Sequence, residues 1–287
     1  MIYFSFIPAI LNYGIFLPYS LKSKPISSMK KALLLVSLLI SIYSFGQTKQ
    51  KTTDELKLSK CIQENTIFFT FNHNSILSGK GWTILEKLFA ENQYVAWGEY
   101  HGSPLLSELT SHALESASKN GFKTWCVEIS PFAASELTRI SKSTNPRESL
   151  TEISKKWKDM TIFPFFESKE DINMLLASQK FGYAIWGIDQ EYQMTYPYIV
   201  DKVYNQLSKN KQVKYKAVFD TLRTKWWNPS TRLLDSLKKE IKSPLLKSAL
   251  SDIDISRNIY FNQDNQTRAE LMKSNFYAYY NALKNKN

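Results

Sequence analysis

Residues 123–130 read Lys-Thr-Trp-Cys-Val-Glu-Ile-Ser. Aromatic and β-branched residues fill Lys123–Ile129, a run of strand length bounded by Gly121-Phe122 and Ser130-Pro131, so the segment reads as a buried strand. Similar runs stand on either side, Tyr94–Gly98 (YVAWG) before it and Tyr183–Ile188 (YAIWGI) after it. Helical spacing fills the intervals. Residues 83–92 precede the first run, and a stretch opened by Pro104 is closed by Gly121 as a C-cap. A further helix is expected near Ala133–Ser141, then a loop holding Asn145-Pro146. Ser168-Lys-Glu-Asp171 has the form of a capping box for INMLLASQK, ended by Gly182. Helix alternating with strand through short connections predicts an α/β fold, a parallel sheet covered by helices.

Beyond Glu191 the pattern turns almost wholly helical over 192–285: Tyr196–Lys209, Lys214–Trp227, Thr231–Lys242, Pro244–Ile253 and Asn265–Leu283. Leu233, Leu234, Leu237 and Ile241 form one apolar stripe, the mark of a core-facing helix. Trp226-Trp227 reads as packing, with a ligand-pocket wall as the alternative.

Length and composition bound the rest. The chain has 287 residues, 43% hydrophobic and 22% charged, with 17 Phe, 16 Tyr and 7 Trp. That supports a packed core and argues against disorder. Two cysteines exclude a disulfide-framed miniprotein and a four-cysteine zinc module. Cys126 reads as a buried hydrophobe, and nothing in the spacing supports a bridge to Cys61.

Residues 29–46 begin Met-Lys-Lys and continue ALLLVSLLISIYSFG, the pattern of a secretory signal peptide cut between Gly46 and Gln47. The apolar run Ala32–Phe45 falls short of the about 20 residues that span a bilayer. No cysteine follows the cut directly, so no lipid anchor is expected and no stable membrane anchor remains after cleavage. Residues 1–28 read as a misassigned upstream extension, with a first transmembrane segment as the alternative; residues 47–287 read as a single α/β domain. The expected location is exported, periplasmic or extracellular. Four lysines and no acids lie in 1–46, so the formal charge of +11 falls to +7 in the mature chain. The remaining lysines are interleaved with acids along helices, as solvated faces are, and no nucleic-acid motif is present. The expected partner is a small-molecule substrate.

Each expected strand ends in ionisable residues: Gly98-Glu99-Tyr100-His101-Gly102-Ser103, Glu128-Ile129-Ser130, and Asp189-Gln190-Glu191. In open parallel sheets ligands bind outside the carboxyl ends of the strands, so these groups are expected to share one crevice. Glu99 and His101 are two apart and face one side of an extended chain. A carboxylate beside an imidazole fixes its tautomer and raises its basicity, as a general base requires. Gly102-Ser103 leads into a helix whose first N–H groups are placed to hold a developing oxyanion. His112 falls mid-helix and His73 in a polar stretch, neither at metal-ligand spacing to His101.

These residues resemble the opening of the erythromycin esterase family: VAWGEYHGS at 95–103, Gly121-Phe122 and the acidic strand end Val127-Glu128. The family's spacing is Glu-x-x-His; here it is Glu-x-His, which changes how Glu99 faces the site. WGIDQEY at 186–192 resembles the family's later Gly-x-Asp strand end. Thr267–Asn275 resembles its helix with Arg, then Met, then Asn, and helical geometry places Arg268, Met272, Asn275 and Tyr279 on one face. The resemblance spans roughly 80–285. It implies an ester or lactone hydrolase needing no metal. In that reading His101 deprotonates water, Glu99 and Glu128 orient it or the water, and Arg268 stabilises the oxyanion or anchors substrate. Asp189, Glu191, Gly102 and Ser103 stand behind them or contact substrate. Members usually continue into a further strand carrying Asn-x-His. This sequence stops at Asn287, so the expectation is either a protein that works without that strand or a truncated reading frame.

Two rival readings remain open. The wider superfamily includes haem-binding lipoproteins and metal-dependent proteases, so His101, Glu99, Glu128 and Asp189 could ligate a divalent ion or a haem. A relative without activity, or a surface interaction protein, is the other.

Overall fold

The computed structural model describes residues 52–71, 77–96, 102–157, 160–224 and 231–285. The chain divides into two compact units, 1–84 and 85–287. The expected leader 29–46, the extension 1–28, His73 and Trp226-Trp227 lie outside the described residues, as do Glu99 and His101.

In the first unit, helix α1 (Thr53–Asn65) starts from a capping box between Thr52 and Glu55 and buries none of its residues. Strands β1 (Thr70–Phe71) and β2 (Leu77–Ser78) pair antiparallel. The turn after β2 brings the Gly81 amide onto the Phe68 carbonyl at 3.0 Å, and a Cβ on Gly81 would sit 3.0 Å from that carbonyl. None of these elements was anticipated from the sequence. Helix α2 (Lys80–Glu91) begins here and continues into the second unit.

The second unit carries α3 (Pro104–Lys119), β3 (Thr124–Val127), α4 (Pro131–Ser141), α5 (Pro146–Lys156), α6 (Lys169–Lys180) and β4 (Ala184–Gly187). A short 3-10 turn, Gln193–Thr195, leads to α7 (Tyr196–Gln206), α8 (Lys209–Thr224), α9 (Thr231–Glu240), α10 (Pro244–Asn262) and α11 (Asn265–Lys284). The fold is helix-rich α/β. Strands β3 and β4 pair parallel, Thr124 opposite Ala184 through Val127 opposite Gly187.

Local chemistry explains the boundaries. Ser103, Ser130 and Ser168 cap α3, α4 and α6 through their hydroxyls, the last as a full capping box with Asp171. Gly121 and Gly182, at φ +87° and +76°, turn the chain out of α3 and α6 toward the strands, a conformation that favours glycine. Side chains then alternate. Trp125 and Val127 join Leu137, Ile140, Leu175, Ile199, Val203 and Leu250 in the main core. Full burial of a Leu or Ile contributes about 2 kcal/mol. A smaller cluster gathers Phe89, Ala113 and Ala117, with Val95 and Phe122 against it.

Gly187 marks the closest approach. A Cβ there would lie 2.1 Å from the Ser130 carbonyl oxygen and 2.9 Å from Ala134 Cβ, so only glycine lets the start of α4 lie against β4.

Four expectations change. Tyr94, Val95 and Ala96 form no strand, and residues 97–101 lie outside the described residues, so the expected three-strand sheet is a pair among the described residues. The expected loop holding Asn145-Pro146 is instead the start of helix α5: Asn145 is its N-cap, Pro146 presets the first helical φ, and Leu150, Ile153 and Trp157 supply an apolar stripe. Helix α10 runs nine residues past Ile253, because Ser256 and Ile259 continue its buried face. Cys126 is exposed, since alternation turns it to the face opposite Trp125 and Val127.

Candidate functional site at the carboxyl ends of the parallel strands

The ladder between β3 and β4 continues past their regular ends. Ile188 donates to the Val127 carbonyl at 3.2 Å and Asp189 to the Ile129 carbonyl at 2.9 Å. Ile129 also donates back to Val127 at 2.8 Å, a three-residue turn centred on Glu128 that bends the chain there. Glu128 and Asp189 therefore leave neighbouring strands close together.

Helix α11 supplies their counter-charge. Arg268 donates from Nε to Asp189 Oδ1 at 2.9 Å, from Nη2 to Asp189 Oδ2 at 2.5 Å, and from Nη2 to Glu128 Oε1. The fork on Asp189 is bidentate, the geometry that suits guanidinium and carboxylate best. Asp189 is nearly buried, at 8% exposure, whereas Glu128 and Arg268 retain 29% and 32%. The Asp189 hydrogen bonds, ahead of the charge of Glu128, push the guanidinium pKa further up, so Arg268 keeps its proton throughout the working range. Its Nη1 donates to no described residue.

The same face of α11 holds the strand exit twice more. Asn275 Nδ2 reaches the Ile188 and Asp189 carbonyls at 3.2 and 3.4 Å. Tyr279 stacks on Trp186 of β4, with ring centroids 5.3 Å apart and planes 9° from parallel. Arg268, Asn275 and Tyr279, expected on one helical face, do share one.

Glu191 goes elsewhere. It is 2% exposed and its backbone N–H donates to Ser256 Oγ at 2.8 Å, tying the strand exit to α10. Among the described residues, neither carboxyl oxygen has a hydrogen-bond partner of normal geometry. Burial pushes its pKa up to about 8; the Ser130 hydroxyl partly offsets the rise and the charge of Asp252 adds to it. Asp252, also on α10, is raised to about 6 by burial. Glu191 is thus an interior acid whose raised pKa favours its protonated form at neutral pH, and its backbone bond runs to α10, not to Arg268.

Gly102 and Ser103 stand at the start of α3, where the Ser103 hydroxyl accepts from the Leu106 amide at 3.4 Å. The hydrogen bonds of Ser103 stay within the first turn of α3. Glu99 and His101 fall outside the described residues. Of the expected set, the structure brings together Glu128, Asp189 and Arg268. Among the described residues no group of three His, Cys, Asp or Glu side chains is arranged to hold a metal ion, and no helix is long and apolar enough to cross a membrane.

Sequence reasoning missed one role in this region. Gly187 was read only as part of a strand end, yet its bare α-carbon admits the Ser130 carbonyl. The signal was a glycine inside an apolar strand, which marks close backbone approach.

Compared with family models, with curated proteins and with solved structures, the chain finds no significant match.

Proposed function

We propose that the protein is an exported hydrolase of a small-molecule ester or lactone, similar in its chemistry to the erythromycin esterases. The observation that carries this reading is Arg268 crossing from α11 to the carboxylates that end two parallel strands, Glu128 and Asp189. Ligands gather at such strand ends, and a guanidinium whose Nη1 donates to no described residue is a ready donor to a developing oxyanion.

In this reading helices cover a parallel sheet that includes β3 and β4. Val95 packs with Phe89, Ala113 and Ala117 beside Phe122, the residue two before β3. The chain leaving Val95 would carry Glu99 and His101 to the edge that holds Glu128. His101 takes a proton from water as the water oxygen attacks the ester carbonyl. Arg268 Nη1 donates to the resulting oxyanion, while Glu99 and Glu128 hold the imidazole or the water in line. As the intermediate collapses, the carbon–oxygen bond to the alkoxide breaks and His101 returns its proton to that oxygen. Acid and alcohol, or one hydroxy acid from a lactone, are the products. The leader at 29–46 would carry the chain out of the cytoplasm.

The test incubates the purified protein with a panel of esters and lactones, macrolides included, and follows addition of one water by mass spectrometry. Turnover that persists under chelator and disappears in His101→Ala is expected. Full turnover in His101→Ala, or a folded protein inert to the whole panel, overturns the proposal.

A further inference from the structure

Helix α11 buries none of its 20 residues, yet it must hold the Arg268 fork on two carboxylates carried by different strands. An ion pair alone does not fix a helix: charge attraction tolerates sliding, whereas a bidentate fork does not. Something else must set where α11 lies along the strand exit.

Asn275 has the position and chemistry to do so. It lies seven residues after Arg268 on the same face, about 10 Å along the axis. Its amide nitrogen carries two N–H donors, and it bridges two successive carbonyls, Ile188 at 3.2 Å and Asp189 at 3.4 Å. The amides of these same two residues donate the other way, to Val127 and Ile129. The strand exit is therefore held from β3 on one side and from Asn275 on the other. Because Asp189 supplies both the carbonyl and the carboxylate, the Asn275 bridge and the Arg268 fork register one residue against one helix at two points.

We infer that Asn275 is a positioning residue: it sets the register of α11 so that Arg268 Nε and Nη2 meet Asp189 together while Nη2 still reaches Glu128. An ionised Asp at 275 cannot donate to the carbonyls, and Ala removes both bonds. Gln keeps the donors on a stem one methylene longer. The inference rests on the reading that this strand-end cluster is the functional site, but its first test does not.

That test is the exchange of the Arg268 Hε proton, read by nitrogen-15 NMR of the full chain, with Phe276→Ala as a control. Phe276 packs edge-on to Trp186 from the same helix, and its ring lies against Trp186, Tyr277 and Tyr280 rather than against either carboxylate. Asn275→Ala and Asn275→Asp are expected to speed Arg268 Hε exchange at least ~10-fold, Asn275→Gln less. Phe276→Ala, compared at an equal interval below its own Tm, should leave it near wild type. Unchanged exchange in Asn275→Ala, or an equal change in Phe276→Ala, overturns the inference. With an ester that is turned over, Asn275→Ala should lower kcat ~10-fold or more with little change in KM, as misplacing a catalytic donor does. If no ester reacts, the proposed function fails while the exchange result stands.

Discussion

Arg268 holds Asp189 through two hydrogen bonds, Nε to Oδ1 at 2.9 Å and Nη2 to Oδ2 at 2.5 Å, across 79 residues of sequence. Asp189 is almost wholly removed from water, and the fork supplies the counter-charge that offsets its burial. Arg268→Gln should destabilise the protein by about 3 kcal/mol by leaving the carboxylate without its counter-charge. Asp189→Asn should cost about 2 kcal/mol. The double substitution should cost clearly less than the two together, a coupling that denaturant unfolding of all four proteins will read.

Glu191 predicts a pH dependence. Its folded pKa, about 8, lies above the ordinary 4.5, so the folded state holds a proton that the unfolded state has lost throughout that interval. Stability should therefore fall as pH rises from about 4.5 to about 8 and level off above it. Asp252, raised to about 6, adds a fall of the same sign at the lower end. Glu191→Gln should flatten most of the decline, measured as Tm between pH 5 and 9. An equally steep decline in that variant would place the titrating group elsewhere.

Glu136 predicts the opposite sign. It accepts from Tyr198 Oη at 2.7 Å, from Arg139 Nη2 at 2.9 Å and from Lys202 Nζ at 2.8 Å, joining α4 to α7. Burial alone would raise its pKa, but the hydrogen bonds from Arg139, Lys202 and Tyr198 outweigh it and hold the carboxyl below 4.5. Its contribution is present above pH 4.5 and lost as pH falls through the lower folded value. Glu136→Gln should cost about 2 kcal/mol at pH 7. The gap to wild type should shrink steadily below pH 4, in urea unfolding at each pH.

Gly187→Ala tests the backbone approach. A Cβ 2.1 Å from the Ser130 carbonyl cannot be accommodated unless α4 and β4 separate. The expected loss is about 3 kcal/mol or more. Trp186, buried beside it at 6% exposure, should then emit at longer wavelength in the folded state. A stability within 1 kcal/mol of wild type would show that the approach is looser than described.

Most helices were legible because their signals are local. The Ser168–Asp171 capping box, the closing glycines 121 and 182, and the Leu234, Leu237 and Ile241 stripe each act within a turn or two of chain. Helix α5 is not legible in the sequence because Asn145-Pro146 is a loop signal, while the same proline serves equally as a first helical residue. Cys126 was misplaced because a short apolar run does not say which face of a strand will be covered.

The site divides in the same way. Helical periodicity alone put Arg268, Asn275 and Tyr279 on one face, since 3.6 residues per turn is a property of the backbone. Alternating helix and strand likewise predicts a parallel sheet covered by helices, of which the described residues show the parallel pair β3 and β4. The partners of that helical face came only with the tertiary structure, because a long-range contact has no local signature. The spacing of residues does not say that Asp189 takes the Arg268 fork while Glu191, two residues later, turns into the interior, where burial raises its pKa. Their separation rests on α11 docking at the strand exit and α10 closing over the next residues: the first carboxylate meets a guanidinium, while burial raises the pKa of the second.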